Sequence, residues 1–157
     1  ARGILVILYR LTKTRYLMTA WSGLGAKETG GRWNSVGTAM VYLSETASLT
    51  MLETLVHIHA PQLLDDFTLL SLDVPDDQIQ TFDMSRLPDN WASEDAPAEL
   101  ALYGDNWAES GSSIALRIPS ALSPVEFNYL LNPAHPELFD LMATVKKIPF
   151  RFDSRLK

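Results

Sequence analysis

Short hydrophobic runs alternate along this chain with polar stretches that contain glycine or proline. The runs are a few residues long and rich in aliphatic and aromatic side chains, a pattern typical of β-strands. The predicted strands are Ile4–Tyr9, Ala39–Leu43, Phe67–Val74, Gln78–Phe82, Ser113–Ile118 and Thr144–Phe152. Leu87–Asp95 is predicted to be a loop, as is the stretch after Ile118, where prolines recur.

Two segments carry apolar residues at helical spacing. In the first, Ser44 is the predicted N-cap, and Glu45 lies in the first turn, where a negative charge suits the helix dipole. This helix is predicted to run to about Ala60, before Pro61. The second covers Ala98–Trp107. Because strands and helices alternate irregularly, we expect an α+β fold, a bent mixed sheet with flanking helices, and not a doubly wound Rossmann sheet.

Length and composition narrow the class of protein. The 157 residues suffice for one hydrophobic core, so we expect a single domain over 1–157. The formal net charge of -6 disfavours direct binding to the phosphate backbone of nucleic acids and would suit a basic partner. The absence of cysteine removes disulfides and thiolate nucleophiles and is compatible with a reducing compartment. No hydrophobic run is long enough to span a bilayer, so we expect no membrane association.

The segment Leu11–Thr38 contains five glycines and is predicted to be loop and turn. Its sequence GGRWNSVG suggests an anion site. The paired glycines, including Gly31, would let consecutive backbone N–H groups point into one concavity. Arg32 would add a planar cation, and Trp33 a flat face for a base. The alternative is a surface turn with a structural tryptophan.

Two common site motifs are incomplete. The glycines at 23 and 25 begin like the dinucleotide fingerprint, but Glu28 stands in the place of the third glycine. A Rossmann-type nucleotide site is therefore excluded. The GxSxG sequence of a hydrolase nucleophile elbow is absent around Ser113.

Glu53 lies among apolar neighbours in MLETLVHIHA, and His57 follows four residues later, so the two side chains could meet on one helical face. A carboxylate in partly apolar surroundings suits electrostatic or general-base work. The alternative is a solvent-facing Glu–His pair. His57 and His59 would point apart, and His135 is distant in sequence, so no metal site is expected.

Four stretches, in this order, resemble the RES-domain family, the toxin halves of bacterial toxin–antitoxin pairs. They are LYRLTKTRY, GGRWNSVGTAMVYLSETASLTMLETLVH, GDNWAESGSSIALRIPSALSPVEFNYLLNPAHP and KKIPFRFDSRL. The resemblance implies a fold related to ADP-ribosyltransferase toxins. It also implies that NAD is the substrate, with no separate cofactor, and that the bond between nicotinamide and ribose is cleaved by water or by phosphate.

The resemblance leaves two alternatives and implies a partner. The chain could transfer ADP-ribose to a protein, or it could be an inactive module for partner binding. The implied partner is an Xre-type antitoxin with a helix-turn-helix, through which alone the complex would bind DNA. The implied location is the cytoplasm, and a homo-oligomer remains possible.

Carried over by position, the resemblance implies roles for four residues. Arg10 and Arg32 would hold the NAD phosphates. Tyr42 would stack on or shape the nicotinamide pocket, and Glu53 would be the acidic residue of the family.

The family serine is assigned by position to Ser113, at the start of the SIALRIPS stretch. Ser112 and Ser120 are the competing positions. Asn132 in LLNPAHP is also typical of the family, although it could simply cap a turn.

Overall fold

The computed structural model describes residues 3–60, 64 and 66–156. Within these residues, seven strands form one sheet in the order β4-β5-β6-β2-β1-β3-β7. The strands are β1 (Leu5–Lys13), β2 (Val41–Ser44), β3 (Phe67–Pro75), β4 (Ile79–Thr81), β5 (Ala115–Pro119), β6 (Phe127–Leu131) and β7 (Lys146–Ile148). All neighbours pair antiparallel except β4 and β5, which are parallel. The predicted α+β class with a mixed sheet is therefore confirmed.

The helices are short and flank the sheet. They are α1 (Leu24–Thr29), α2 (Ala47–Leu55), α3 (Ala98–Ser110) and α4 (Leu138–Leu141). Short 3₁₀ segments occupy Thr14–Thr19, Asp76–Gln78, Met84–Arg86, Met142–Thr144 and Ser154–Leu156. In the described part of the chain, no helix has the length and apolar character needed to cross a membrane.

The glycine-containing segment is more regular than predicted. It holds the last residues of β1, the turn Thr14–Thr19 and helix α1. Gly23 and Gly30, with φ of 73° and 71°, lie directly before and after α1. Both adopt the left-handed region that glycine tolerates without strain, so these glycines mark the ends of a helix and not the absence of one.

Helix α2 begins and ends at residues other than those predicted. Its N-cap is Thr46, whose hydroxyl accepts from the backbone N–H of Leu49 at 3.0 Å, whereas Ser44 is the last residue of β2. The helix ends at Leu55, not near Ala60. β-branched residues recur from there on, and their restricted side chains disfavour a longer helix.

The region after β5 was predicted to be a loop because prolines recur in it, and this prediction is wrong in part. The strand β6 lies there, with Pro124 before it and Pro133 after it. A proline beside a strand removes no hydrogen bond from it, so the recurrence of proline was compatible with a strand between. The predicted strand Thr144–Phe152 is shorter than expected, because β7 pairs with β3 only over Lys146–Ile148.

Separate hydrophobic clusters attach α2 and α3 to the sheet. Residues of β5 and β6 pack with α3 through Leu100 and Trp107. Met51 and Leu55 of α2 pack against a cluster that includes Leu11. A third cluster, which contains Leu8, Val41 and Leu72, lies along the central strands. The two helices are thereby held in fixed positions, and the cleft described next is lined in part by α2.

Candidate functional site

Four residues expected in the site, Arg10, Arg32, Tyr42 and Glu53, line one cleft of about 970 Å³. They come from β1, the loop after α1, β2 and α2, so the fold unites positions that are far apart in sequence. The volume lies at the upper end of the range for ligand pockets, roughly 300–1,000 Å³. A ligand as large as a dinucleotide can be accommodated.

Arg10 is held by two backbone carbonyl groups. Its Nε donates to the oxygen of Ala20 at 2.8 Å, and one terminal nitrogen donates to the oxygen of Tyr42 at 3.1 Å. Burial lowers the pKa of Arg10 to about 10. Among the described residues no carboxylate forms an ion pair with its guanidinium. A partly buried cation without an internal counter-ion favours an anionic ligand.

Arg32 lies on the same cleft, in the loop between α1 and β2. Its guanidinium donates to the backbone oxygen of Trp91 at 2.9 Å, which connects this loop to the 87–97 loop. Its other donors are free to meet a ligand as far as the described residues go, since none of these accepts a further bond from it. Arg32 can therefore serve as a second anion contact.

The prediction that the backbone N–H groups of the paired glycines form an anion site is wrong. The N–H of Gly30 donates to the oxygen of Ala26 at 2.8 Å, and the N–H of Gly31 donates to the oxygen of Asn34 at 2.9 Å. Gly31 has a different role at the cleft wall. A Cβ there would lie 2.8 Å from the hydroxyl oxygen of Tyr42, so only glycine lets the Tyr42 side chain approach this closely.

The hydroxyl of Tyr42 is occupied within the protein. It accepts from the backbone N–H of Trp33 at 2.9 Å and donates to Oδ1 of Asn34 at 2.7 Å. Burial raises the pKa of Tyr42 above its ordinary value. The ring of Tyr42 is thus the part available to a ligand, which fits the expected stacking or shaping role better than an acid–base role.

Trp33 is a core residue. Its side chain is only 1% exposed and packs edge-on against Phe82, with ring centroids 5.1 Å apart. Its backbone carbonyl lies against Gly104 of α3, where a Cβ would come within 1.7 Å. The expectation that the indole offers a face to a base is therefore wrong, and the structural alternative is the correct one.

Two side chains donate hydrogen bonds to Glu53, and both bonds end on the same oxygen. Ser120 Oγ donates to Glu53 Oε2 at 3.0 Å, and Asn128 Nδ2 donates to it at 2.7 Å. His57, the partner considered from the sequence, is exposed and makes no hydrogen bond to Glu53. Glu53 is half-buried, and the two donors to its carboxylate come from the residue after β5 and from β6.

The structure brings Ser120, not Ser113, to Glu53. Ser113 is buried behind α3, where it accepts from the indole N–H of Trp107 and donates to the oxygen of Ala115, each at 2.9 Å. Ser112 is exposed and donates to Gln80. None of the three serines is among the residues that line the cleft, and Ser120, which is 3% exposed, is connected to it only through Glu53. The expectation that Ser113 takes part in the site is therefore wrong, because Ser113 precedes β5 and its hydroxyl is bonded in the core between Trp107 and Ala115.

Asn132 is also remote from the cleft. Its side chain donates to the oxygen of Ala108 at 2.9 Å and accepts from the N–H of Ala134 at 3.0 Å. It therefore caps a turn, the simpler of the two sequence interpretations.

Asn34 and Asn128 are two residues that sequence reasoning missed. Asn34 is 1% exposed, and its amide donates to the oxygens of Ala26 and Thr38 while it accepts from Tyr42. Asn128 contacts Glu53 across the sheet. A buried asparagine beside a glycine-rich loop is a weak signal in sequence, because such residues also occur in turns.

Charged residues of both signs line the cleft. The basic residues are Arg10, Lys13 and Arg32, and the acidic ones are Glu53, Glu94 and Asp95. Within the described residues, no cluster of His, Asp and Glu is arranged to hold a metal ion. The arrangement can therefore hold an anionic group at the arginines and place a carboxylate beside a group that becomes positive.

Comparisons with known proteins agree on one family. A family model described as the RES domain matches residues 7–153. A protein named Toxin Res from Photorhabdus laumondii is 44% identical over 151 residues, which cover 96% of this chain and 97% of that protein. A protein named Prs ADP-ribosylating toxin from Sphingobium sp. is 40% identical over 119 residues, 74% of each chain.

A solved structure shares the fold. A chain in the crystal structure of the M. tuberculosis MbcT–MbcA toxin–antitoxin complex matches with a TM-score of 0.69 at 19% identity. The match covers 98% of this chain and 87% of that one. At this level of identity the likeness shows a shared fold.

Proposed function

Because this chain belongs to the RES domain family, we propose that it is the toxin of a bacterial toxin–antitoxin pair and that it depletes cytoplasmic NAD by cleaving the bond between nicotinamide and ribose. The observation that carries the proposal is the Glu53 carboxylate, which two donors orient within a cleft that also presents Arg10 and Arg32. NAD enters as the substrate, and the proposal includes no further cofactor.

Arg10 and Arg32 would bind the phosphates of the substrate. Arg10 is partly buried without an internal counter-ion among the described residues, and burial lowers its pKa to about 10. A pyrophosphate placed against Arg10 and Arg32 would offset the cost of burying this cation. Binding energy from the phosphates can then position the nicotinamide ribose beside Glu53.

The chemistry needs one carboxylate and one nucleophile. The bond between the ribose C1′ and the nicotinamide nitrogen breaks, its electron pair leaves with the now neutral nicotinamide, and the ribosyl group becomes an oxocarbenium-like cation. The negative charge of Glu53 stabilises that cation. Water adds to C1′ and loses a proton, which yields ADP-ribose, or phosphate adds and yields a phosphorylated ADP-ribose.

The test is consumption of NAD by the purified chain, free of antitoxin, with and without phosphate. Nicotinamide with ADP-ribose identifies a glycohydrolase, and a product that forms only with phosphate identifies a phosphorylase. Glu53→Gln should lower turnover on the order of 10²-fold or more, because the neutral amide cannot stabilise the cation. Glu109→Gln, an exposed position on α3, is the matched control. Intact NAD in all conditions contradicts the proposal and favours either a protein ADP-ribosyltransferase, which lacks an acceptor in this assay, or an inactive module for partner binding.

Transfer of ADP-ribose to a protein is the second candidate, and the name of the Sphingobium relative favours it. The same arginines and Glu53 would bind NAD, and a protein side chain would replace water as the nucleophile. NAD labelled in the adenosine part, incubated with a cell lysate, separates the two. Only a transferase leaves the label on protein, and Glu53→Gln should abolish that labelling.

The proposal includes an Xre-type antitoxin with a helix-turn-helix as the partner. It is supported by the likeness of the fold to a chain of a toxin–antitoxin complex. With a net charge of -6, this chain should contribute little to phosphate contacts, so DNA binding should require the antitoxin. A gel-shift assay checks this, and a shift with the toxin alone would contradict it.

A further inference from the structure

The amide of Asn128 lies between a serine hydroxyl and the Glu53 carboxylate. Ser44 Oγ donates to Asn128 Oδ1 at 2.7 Å, and Asn128 Nδ2 donates to Glu53 Oε2 at 2.7 Å. Only the nitrogen of an amide can donate to a carboxylate. The carboxylate therefore requires the orientation in which Nδ2 of Asn128 faces Glu53, and the Ser44 hydroxyl holds that orientation by donating to the amide oxygen on the other side.

The sheet register places these two residues side by side. Ser44 of β2 and Asn128 of β6 are direct cross-strand partners. Thr46, the N-cap of α2, donates to a carboxylate oxygen of Glu126 at 2.9 Å, which ties the start of the helix to the residue before β6. The helix that carries Glu53 and the strand that carries Asn128 are thus held together at their ends.

The bonds to Glu53 leave its second oxygen available. Asn128 and Ser120 both donate to Oε2, and no hydrogen bond from the described residues reaches Oε1. Other titratable side chains line the cleft without forming a hydrogen bond to Glu53. They are Arg10, Lys13, Arg32, Tyr42, His57, Glu94 and Asp95. The direction of the carboxylate therefore depends on Asn128 and Ser120.

We propose that Ser44 is a positioning residue for the reaction: by fixing the amide of Asn128, it holds Oε2 of Glu53 against the sheet and keeps Oε1 for the ribosyl cation. Ser44 borders the cleft but is only 2% exposed, so it offers almost no surface to a ligand and acts through Asn128. The inference rests on the proposed function for the identity of the substrate, but the hydrogen-bond chain can be tested without it.

The first test is Ser44→Ala in an assay of NAD turnover. We expect kcat to fall on the order of tenfold to a hundredfold, with little change in KM, because a misdirected carboxylate weakens stabilisation of the transition state and not substrate binding. Ser44→Thr keeps the hydroxyl and should recover most of the activity. Ser71→Ala is the matched control, since Ser71 is a buried strand serine that does not line the cleft. An unchanged kcat in Ser44→Ala would overturn the inference.

The second test asks whether Ser44 acts through Asn128. Asn128→Leu should lower kcat at least as much as Ser44→Ala does. The double variant should be no slower than Asn128→Leu alone, because the amide through which Ser44 acts is already missing. Losses that multiply in the double variant would show that Ser44 acts independently, and the inference would fail.

The third test does not depend on activity. In ¹⁵N-labelled protein, the Nδ2 proton of Asn128 that is bonded to Glu53 should resonate downfield and exchange slowly with solvent. Ser44→Ala should move this signal towards that of a free amide, and Ser44→Cys, a weak donor, should do so in part if the alanine variant does not fold. If the wild-type chain leaves NAD intact, the proposed function fails and this spectrum still decides the role of Ser44. An unchanged Asn128 signal would overturn the inference whatever the activity.

Discussion

In Tyr42, the hydroxyl and the ring have different roles: the hydroxyl forms hydrogen bonds within the protein, and the ring lines the cleft. It accepts from the N–H of Trp33 and donates to Asn34 Oδ1, so it stabilises the loop between α1 and β2. The ring lines the cleft. Because the hydroxyl has both of its strong bonds inside the protein, loss of the hydroxyl and loss of the ring should have different consequences.

Tyr42→Phe should cost about 1–3 kcal/mol of unfolding free energy, because it leaves a buried backbone N–H and the Asn34 oxygen without a partner. NAD turnover should fall far less than in Tyr42→Ala, which also removes the ring. Urea unfolding and a turnover assay measure the two effects. Tyr16→Phe is the control, since Tyr16 is 53% exposed and should lose little stability. Equal loss of turnover in Tyr42→Phe and Tyr42→Ala would show that the hydroxyl itself takes part in the chemistry.

The pH dependence of stability should also report on Tyr42. Burial raises the pKa of Tyr42 above the ordinary value of 10.0. In the unfolded chain the phenol ionises first, so this contribution is fully present below pH 10.0 and is lost as the pH rises above it. The fall in stability above pH 10 should therefore be smaller in Tyr42→Phe than in the wild type, as measured by urea unfolding.

Two other groups titrate in the same range. Burial raises the pKa of Tyr129, so part of the fall in stability above pH 10 should remain in the Tyr42→Phe variant. Burial lowers the pKa of Arg10 to about 10, an effect of opposite sign that is present in both proteins and largely cancels in the comparison. An identical fall in both proteins would show that the Tyr42 phenol is not protected by the fold.

At the scale of elements, α3 supports the site without lining it. Among the described residues, those that line the cleft include none from Ala98–Ser110. Gly104 nevertheless lies directly on the Trp33 carbonyl, and Asp105 accepts from the N–H of Ser35 at 2.9 Å. The helix thus holds the loop that carries Gly31 and Arg32.

Gly104→Ala should destabilise the fold and displace that loop. Its Cβ would lie 1.7 Å from the Trp33 oxygen, and relief of such overlap typically costs about 1–3 kcal/mol or more. We expect a lower melting temperature and a higher KM for NAD, because Arg32 moves with the loop. Gly25→Ala on α1 is the matched control, since nothing lies within 4 Å of its Cβ position and alanine favours a helix. A Gly104→Ala variant as stable as Gly25→Ala would contradict this packing.

At the scale of the whole molecule, one sheet connects all three hydrophobic clusters. β1 and β3 pair along their full lengths, from Leu5–Pro75 to Lys13–Phe67, and are the fifth and sixth strands in the order. Neither α2 nor α3 has a separate sheet to pack on among the described residues. The structure therefore favours unfolding as one unit.

A single cooperative transition in urea is the expected result. Far-UV circular dichroism follows the whole sheet, whereas tryptophan fluorescence follows chiefly the α3 side, where Trp33 and Trp107 are buried. The two curves should coincide, as two-state unfolding of one domain requires. A fluorescence transition at lower urea than the circular dichroism transition would divide the chain into two units and contradict the prediction of a single domain.

Much of the element order could be predicted from the sequence. In β1, β3 and α3 the spacing of hydrophobic residues along a short stretch of chain is enough to identify the element. The start of α2 and the strand β6 could not be predicted from the local pattern. Thr46 competes with a neighbouring residue of the same capping type for the start of α2. The two prolines beside β6 are also typical of a loop.

By itself, the sequence determined the α+β class, the family, and the residue types that meet in the cleft: Arg10, Arg32, Tyr42 and Glu53. These follow from local periodicity and from motifs that are contiguous along the chain. Only the tertiary structure decided that Trp33 is buried, that Ser120 is the serine at Glu53, and that Asn128 and Ser44 lie behind it. The physical reason is that a side chain's hydrogen-bond partners and burial depend on strand register and helix packing, which join residues remote in sequence and leave no local pattern.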